Sequence, residues 1–333
     1  MQFSEEHKQT NCNNLRPEGD CIPEDVLLET FKSVRGKGLH ETDNDSDITS
    51  NTDTATEDES DKEVDSKSKL KSKPKNNTSS HYNRNTHHGQ NIRDYKSITN
   101  RYDRSDANIS KPGKNKKVKD EIIKEVGCDN EICAAKKLNP KLVKEYFKIK
   151  GPANNDDLLS NFDIDDVLYG WSVSSFPNFY HIYYQMIDFA KNKTELAKID
   201  VAKMVAENKY NCLGVVLNTD VSTGAGKHWF CLFVDWRNKP KVTVEYFNSS
   251  GNRPMREVQG LLIATNQYLK TAGFNSEIIM NSLQHQRDSD TECGPYSLYY
   301  IWSRLHDVPY SLFNEKRIKD SEMLEFRKVL FRE

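Results

Sequence analysis

Two apolar runs in the second half of the chain have the pattern of a β-hairpin. Residues 229–236 read WFCLFVDW and residues 242–247 read VTVEYF, and both runs are rich in aromatic and β-branched side chains. The connection 237–240 is polar and contains Asn and Pro, which are common in hairpin loops. Folding the chain on this turn places residue 228 opposite residue 249, so side chains at the two ends of the hairpin meet.

Helical periodicity follows the hairpin. Leu298, Ile301, Trp302 and Leu305 have the spacing i, i+3, i+4, i+7, which predicts a helix that begins near Cys293 and buries one face. Similar patterns predict helices near 140–147, 194–206, 252–268 and 323–330, and strands at 212–217 and 278–280. These elements indicate an α+β fold with a mixed, mainly antiparallel central sheet flanked by helices.

The first third of the chain has few apolar residues to bury. Residues 1–34 are expected to form a frayed terminus with one amphipathic turn near 26–31. An acidic run at 41–65 and a basic run at 67–119 are too polar to fold alone. The predicted organisation has three parts: a disordered polar region at 1–117, an accessory helical segment at 118–155 and a folded domain at 156–333.

The basic run 67–119 has three interpretations. Tyr82, Tyr95 and Tyr102 lie among its lysines and could stack on bases, which would suit a nucleic-acid-binding arm. The run could instead recruit the protein into an assembling particle. We favour a solvated linker in which the acidic and basic blocks attract each other.

Cysteine usage and hydropathy bear on the compartment. The seven cysteines are odd in number and lack the spacing of a disulfide framework, which favours a reducing compartment and argues against secretion. No apolar run is long enough to span a membrane, and the N-terminus does not resemble a signal peptide. The net charge of −2 says little about partners.

Two clusters resemble metal sites without meeting their requirements. Cys128 and Cys133 have a metal-like spacing, but no second Cys or His pair follows closely, and a zinc site needs about four ligands. Asp163, Asp165 and Asp166 are interpreted as a helix start, with Asp163 as the cap, since calcium would need more oxygen ligands and a fixed glycine. We therefore predict no metal and no cofactor.

The hairpin geometry selects a partner for His228. Asn248 ends the second strand beside His228, at a cross-strand separation of about 5 Å. The rival Asp235 lies along the same strand, roughly 23 Å away at about 3.3 Å per residue. An Asn carbonyl oxygen accepts a hydrogen bond from one imidazole N–H and holds the ring in one tautomer.

Cys293 has the sequence context of a nucleophile. It lies at a predicted helix N-terminus, where backbone N–H groups and the helix dipole are expected to lower the pKa of a thiol. Gln286 lies in the polar loop just upstream, and its amide could donate to an oxyanion together with the Cys293 N–H. The sequence thus predicts a cysteine nucleophile, a histidine base, an orienting asparagine and an oxyanion donor.

Other Cys and His residues fit these roles less well. His181 lies among aromatic residues and is interpreted as core, and His306 lies roughly 18–20 Å along the helix from Cys293 at about 1.5 Å per residue. His285 is the rival base, but no suitable orienting residue accompanies it. Cys231 lies in mid-strand without a helix dipole.

The order of these motifs resembles a known clan of enzymes. His-Trp at 228–229, Asn-Ser at 248–249, Gln286 and Asp-Thr-Glu-Cys-Gly at 290–294 are similar to the SUMO-deconjugating and adenovirus-maturation clan of cysteine proteases, and most similar to the polyprotein-processing proteases of large DNA viruses of the African swine fever virus type. The segment 158–189 is similar to the region before the histidine in those enzymes.

The resemblance carries further expectations. Cellular members of the clan often have Asp at the position of Asn248, whereas the viral ones can carry Asn. The resemblance implies cleavage of viral core polyproteins after Gly-Gly-type sites, in the virion and host cytoplasm. The alternatives are an isopeptidase that removes SUMO or ubiquitin-like modifiers, and an inactive module that binds nucleic acid or protein through its basic arm.

Overall fold

The structure, a computed structural model, describes four stretches of the chain: 8–13, 19–36, 115–154 and 156–332. The predictions for the acidic run and for the basic run up to residue 114 therefore lie outside the described residues. Among the helices described, none is both long and apolar enough to cross a membrane.

The described elements agree with an α+β fold. The helices are α1 (Glu24–Gly36), α2 (Asn115–Glu125), α3 (Glu131–Leu138), α4 (Lys141–Tyr146), α5 (Asn161–Gly170), α6 (Glu195–Lys198), α7 (Val201–Glu207), α8 (Arg256–Thr271), α9 (Cys293–Leu305), α10 (Leu312–Glu315) and α11 (Asp320–Leu330). The strands are β1 (Ile149–Lys150), β2 (Phe179–Met186), β3 (Cys212–Asn218), β4 (Trp229–Asp235), β5 (Lys241–Phe247), β6 (Asn275–Met280) and β7 (Phe331–Arg332). A π-helical turn (Trp171–Ser175) extends α5.

A five-stranded sheet in the order β2-β3-β4-β5-β6 forms the centre of the fold. Its three middle strands pair antiparallel, and each outer strand pairs parallel with its neighbour. The predicted mixed sheet flanked by helices is confirmed, and α9 begins at the predicted nucleophile Cys293.

The hairpin of β4 and β5 differs from its predicted register by one residue. Cys231 lies opposite Phe247 and Asp235 opposite Thr243, so continuing the pairing places residue 228 opposite 250. Asn248 is therefore a diagonal neighbour of residue 228, which side chains can still bridge. His228 and Asn248 are therefore neighbours as predicted, because side chains can span a one-residue offset in register.

Strand β4 is buried on both faces. Cys231 and Phe233 belong to a core that includes α5, α9 and α11, whereas Leu232 and Val234 belong to a second core that includes α7 and α8. The continuous apolar run of β4 follows from this position, since a strand covered on both sides has no polar face. The sheet thus holds His228, at the start of β4, between two packed layers.

An ion-pair network ties the far end of α9 to the sheet. Arg304 is 7% exposed and binds both oxygens of the fully buried Glu245 at 2.9 Å. It also contacts Asp235 at 3.1 Å, and Tyr300 donates to Glu245 at 2.7 Å. Because both partners of Arg304 come from the hairpin strands, this network fixes α9 against the hairpin that carries the candidate base.

The described part of the N-terminus is folded, which differs from the expected frayed terminus. Ile22 and Leu27 are fully buried in a third core that joins α1 to the helices of the accessory segment. Glu131 accepts the backbone N–H groups of Cys21 and Ile22 at 2.9 and 2.8 Å. The sequence showed only one amphipathic turn here, because the surface that covers it lies more than 100 residues away.

Four cysteines form disulfides, contrary to the expectation of scattered thiols. Cys12 is bonded to Cys21, and Cys128 to Cys133. The spacing of the second pair, which resembled that of metal ligands, here matches a short disulfide loop. Within the described stretches the free cysteines are Cys212, Cys231 and Cys293, and all are buried.

The cap of α5 also differs from its prediction. Ser160 is the N-cap, and Asp163 completes a capping box by accepting the Ser160 N–H at 2.8 Å. Asp165 accepts the N–H of Tyr184 at 2.6 Å, and Asp166 pairs with Lys144. Each carboxylate therefore has its own structural partner, as expected of a helix start.

Candidate active site

His228 lies directly before β4, and its ring contacts Asn248. The distance from His228 Nε2 to Asn248 Oδ1 is 2.7 Å. The carbonyl of His228 accepts the N–H of Thr219 at 2.9 Å, which fixes the end of the preceding loop. The structure thus brings together the histidine and asparagine that the sequence predicted, and Asp235 instead pairs with Arg237 and Arg304.

The contacts of Asn248 determine the tautomer of His228. The N–H of Ser250 donates to Asn248 Oδ1 at 3.0 Å, and the Ser250 hydroxyl donates to it at 2.8 Å. A backbone N–H can only donate, so the atom that faces both Ser250 and His228 is the amide oxygen. An amide oxygen can only accept, so His228 Nε2 carries the proton and Nδ1 carries the lone pair.

Two residues that the sequence analysis missed hold Asn248 in place. Asn281 forms a reciprocal pair with the Asn248 backbone, accepting its N–H and donating to its carbonyl, both at 2.8 Å. Asn248 Nδ2 donates to the Tyr246 hydroxyl at 3.0 Å. Tyr246 is two residues from Asn248 and was visible as a strand residue, but the Asn281 pairing spans 33 residues and left no signal in the pattern.

The Cys293 thiol lies beside the backbone of the histidine strand. Cys293 is 1% exposed, and the backbone N–H groups of Trp229, Gly294 and Cys293 lie near enough to its sulfur to lower the pKa of the thiol. Trp229 is the chain neighbour of His228, so this contact brings the start of α9 to the start of β4. The structure therefore gathers the predicted nucleophile and the predicted base in one place.

Burial sets the protonation states of this pair. Burial raises the pKa of the Cys293 thiol, although the three N–H groups act to lower it. Burial also lowers the pKa of His228, against the opposing effect of the Asn248 hydrogen bond. The N–H groups at the start of α9 do act to lower the thiol pKa, as expected, but desolvation outweighs them and the net shift is upward. The uncharged thiol and uncharged imidazole are the favoured resting forms.

Gln286 is attached to the same cluster through Ser249. Its Oε1 accepts the Ser249 hydroxyl at 2.8 Å, and its backbone N–H donates to the Ser249 carbonyl at 3.1 Å. Its Nε2 donates to the Ser289 carbonyl at 2.7 Å. A side-chain amide has two N–H donors, so the second is the one an oxyanion would use. Its role as an oxyanion donor stays a prediction.

The wall beside the nucleophile is closely packed. A Cβ atom added at Gly294 would lie 3.1 Å from the Leu159 Cβ, and the Trp229 indole donates to the Leu159 carbonyl at 3.1 Å. Trp229 is 8% exposed and packs edge-on against Tyr184. Trp229 therefore belongs to the core and also anchors the segment that faces Gly294.

Both ring nitrogens of the rival base His285 contact the backbone. It is fully buried, its Nε2 contacts the Phe313 carbonyl at 2.9 Å, and its Nδ1 accepts the Ile318 N–H at 3.1 Å. His306 Nδ1 contacts the Trp302 carbonyl at 2.8 Å. Neither ring has the arrangement of His228.

The other rivals lie in the core. His181 is buried with three aromatic rings around it, those of Tyr169, Phe179 and Tyr183. Cys231 is fully buried, and burial raises its pKa well above the ordinary value. Among the described residues no group of three or more His, Cys, Asp or Glu side chains is arranged to hold a metal ion.

Comparison with known proteins relates this chain to cysteine proteases. A family model described as the Ulp1 protease family, C-terminal catalytic domain, matches residues 183–333. A SUMO-1 cysteine protease of African swine fever virus is 37% identical over 238 residues, which cover 62% of this chain and 84% of that protein. One crystal structure of an African swine fever virus protease superposes with a TM-score of 0.55 at 34% identity, and the match covers 68% of this chain and 93% of that one. A second crystal structure of that protease gives a TM-score of 0.54 at 33% identity, and the match covers 64% of this chain and 89% of that one. The family match includes all four candidate residues.

Proposed function

The chain belongs to the Ulp1 protease family and is a cysteine peptidase, and we propose that it cleaves viral core polyproteins during virion maturation, with Cys293 as its nucleophile. The proposal assigns His228 as the base, Asn248 as its orienting residue and Gln286 as an oxyanion donor. The observation that carries it is the 2.7 Å His228–Asn248 contact, together with the placement of Cys293 in the same core as Trp229, the chain neighbour of His228.

The acylation step follows from the protonation states. Cys293 gives its proton to Nδ1 of His228 as its sulfur attacks the peptide carbonyl carbon, since both groups rest uncharged. The carbonyl oxygen becomes an oxyanion, which the Cys293 N–H and the Gln286 amide stabilise. Collapse of the intermediate breaks the C–N bond, and the imidazolium protonates the leaving amine. A thioester to Cys293 remains.

Deacylation uses the same groups in reverse order. A water molecule gives a proton to His228 and attacks the thioester carbonyl. The C–S bond breaks, the acid product leaves, and the imidazolium returns its proton to Cys293. Asn248 accepts the Nε2–H throughout, so the ring keeps the orientation in which Nδ1 faces the reaction.

We propose cleavage after Gly-Gly-type sites. The support for this specificity is the resemblance to proteases of this clan, whose narrow clefts suit a small residue on the acyl side of the scissile bond. The relatives from African swine fever virus are proteases of the same type, which supports a viral polyprotein as the substrate.

A deconjugating isopeptidase is the alternative activity, and the name of the viral relative includes SUMO-1. Both activities would use the same catalytic residues but different substrates. A polyprotein protease cuts extended linkers, whereas a deconjugase docks a folded modifier. The alternative of an inactive binding module does not agree with membership of a cysteine peptidase family. Nucleic-acid binding through the basic run 67–119 stays a further proposal, tested by adding DNA to the activity assay and by deleting that run.

The virion and the host cytoplasm are the proposed locations. The redox state of the two disulfides distinguishes these locations, because a reducing compartment would keep the four cysteines as thiols. Counting the free thiols of protein taken from virions and from infected cytoplasm would show in which place these pairs are closed.

Turnover assays test the proposal. Purified full chain is given two matched substrates, a flexible linker with a Gly-Gly site and a SUMO fusion that carries the same junction. We expect faster cleavage of the linker, and loss of turnover in Cys293→Ala and His228→Ala. Faster cleavage of the folded fusion would favour the deconjugase, and retained turnover in both variants would refute the catalytic assignment.

A further inference from the structure

Side chains of helix α11 contact both ends of the catalytic loop. We propose that two of them are positioning residues: Asp320 for the oxyanion donor and Arg327 for the nucleophile. The catalytic loop is defined as residues 285–292, between the end of β6 and Cys293. This inference rests on the proposed function, because it takes Cys293 as the nucleophile and Gln286 as the donor.

Arg327 holds the residue immediately before the nucleophile. Its Nε donates to both carboxylate oxygens of Glu292, at 3.0 and 3.2 Å, and its Nη2 donates to the Thr291 carbonyl at 3.3 Å. Glu292 is fully buried and Arg327 is 4% exposed. Glu292 is also the N-cap of α9, so this ion pair fixes the start of the helix and the position of its first residue, Cys293.

Asp320 holds the other end of the catalytic loop. Its Oδ2 accepts the backbone N–H groups of Arg287 and Asp288 at 3.1 and 3.0 Å. These residues directly follow Gln286, so the carboxylate fixes the backbone that carries the candidate donor. Just before α11, Arg317 donates to the His285 carbonyl at 2.8 Å and to Asp320 Oδ2 at 3.2 Å.

Helix α11 is rigidly attached to the nucleophile helix. Phe326 packs edge-on against Tyr299 at 5.1 Å and against Trp302 at 5.7 Å between ring centroids. Met323 and Phe326 are fully buried in the core that contains Cys293. Helix α11 thus provides a fixed support from which Asp320 and Arg327 position the loop.

Stability alone is a weak reason for the buried pair. A buried ion pair can often be replaced by apolar residues of similar volume without loss of stability, because desolvation offsets the attraction between the charges. Removing one partner is costly, since it leaves an uncompensated buried charge. The geometric role can therefore be separated from stability by comparing single and double replacements.

The pair also sets the charge beside the thiol. Cys293 is near the Glu292 carboxylate, whose charge raises the pKa of the thiol. Glu292 in turn contacts Arg327 and the Thr291 hydroxyl. Removing Arg327 exposes the thiol to an unbalanced negative charge, whereas neutralising Glu292 removes that charge. The two changes should move the thiol reactivity in opposite directions.

The experiment uses the full chain and four variants at the pair. These are Arg327→Met, Arg327→Lys, Glu292→Gln and the double variant Glu292→Met with Arg327→Met. Lys328→Met is the matched control, because it removes an exposed ion pair with Glu325 on the same helix. The measurements are kcat and KM with a Gly-Gly peptide, the unfolding temperature, and the pH dependence of Cys293 alkylation by iodoacetamide.

We expect Arg327→Met to lower kcat by about 10- to 100-fold with little change in KM, since a misplacement of about 1 Å can cost that much. In Arg327→Met the pH dependence of Cys293 alkylation shifts to higher pH, whereas in Glu292→Gln it shifts to lower pH. The double variant recovers the unfolding temperature but not kcat. Arg327→Lys recovers part of kcat, and Lys328→Met behaves as the wild type.

The Asp320 half of the proposal has its own pair of variants. Asp320→Ala removes the acceptor for both loop N–H groups, and kcat should fall by about 10-fold or more. Asp320→Asn keeps an acceptor oxygen at the same place and should restore most of kcat.

The inference is overturned if the double variant regains kcat together with stability, or if Asp320→Ala turns over normally while folded. Failure of the proposed function is a different result. It would appear as turnover in Cys293→Ala, whatever the variants on α11 do. If alkylation of Cys293 in the wild type abolishes turnover, the proposed function stands. The α11 variants then test the positioning role alone.

Discussion

The hydrogen bond between His228 and Asn248 should set the pH dependence of activity, and two substitutions at Asn248 should move it in opposite directions. Burial lowers the pKa of His228 below 6.5, and the Asn248 bond partly raises it again. His228 must be uncharged to accept the thiol proton, so activity is lost as pH falls through its pKa. The acid limb of kcat/KM in the wild type should therefore lie below pH 6.5.

The magnitude follows from the strength of the bond. At 2.7 Å it is a good hydrogen bond, worth about 1 kcal/mol with neutral imidazole and about 1.5–3 kcal/mol with imidazolium. The difference of about 0.5–2 kcal/mol corresponds to roughly 0.4–1.5 pH units. Asn248→Ala should shift the acid limb down by that amount and, because the ring loses its support, lower kcat by about 10-fold. Asn248→Asp places a carboxylate against the ring, so the acid limb should shift up.

The assay is kcat/KM for a Gly-Gly peptide across the acidic and neutral range. Asn252→Ala is the matched control, since it removes an amide in the same loop but keeps the backbone carbonyl that accepts the Tyr246 hydroxyl. Its profile should match the wild type. The reasoning fails if Asn248→Ala and Asn248→Asp shift the limb in the same direction, or if neither shifts it.

Three further predictions concern the remaining contacts. Arg304→Met leaves Glu245 buried without its cation and should lower the free energy of unfolding by about 3–5 kcal/mol, as measured by denaturant titration. Cys12→Ser opens the disulfide with Cys21 and should cost about 2–3 kcal/mol under oxidising conditions and nothing after reduction, as measured by thermal unfolding with and without reductant. Gln286→Ala should lower kcat by about 10²–10³-fold if its amide serves the oxyanion, and a loss of less than about 10-fold would reject that role.

An exposed ion pair gives the stability prediction its control. Lys241 and Glu277 pair at 2.8 Å with about half of each side chain exposed, so Lys241→Met should cost far less stability than Arg304→Met. An equal loss from Lys241→Met and Arg304→Met would show that burial does not decide the strength of the ion pairs here.

Local patterns predicted the part of the site that lies on the hairpin. Runs rich in aromatic and β-branched residues predicted both strands, and the polar turn between them placed His228 near Asn248 within one residue of the observed register. The helical spacing after Cys293 gave the start of α9. These features depend on neighbours in sequence, so a pattern can reveal them.

The supporting contacts depend on distant residues. Asn281 pairs with the backbone of Asn248 across 33 residues, and Arg327 pairs with Glu292 across 35. Nothing near either residue distinguishes it from an ordinary polar surface position. The raised pKa of Cys293 escaped prediction for the same reason, because desolvation comes from the whole fold whereas the helix terminus is visible locally.

Covalent labelling tests the central claim most directly. A peptide vinyl sulfone that ends in Gly-Gly is incubated with the full chain, and the modified cysteine is mapped by mass spectrometry. The account predicts selective labelling of Cys293 that is lost in His228→Ala, while the other free cysteines of the described stretches, Cys212 and Cys231, stay unmodified. Equal labelling of several cysteines, or labelling of Cys293 at the same rate without His228, would contradict it.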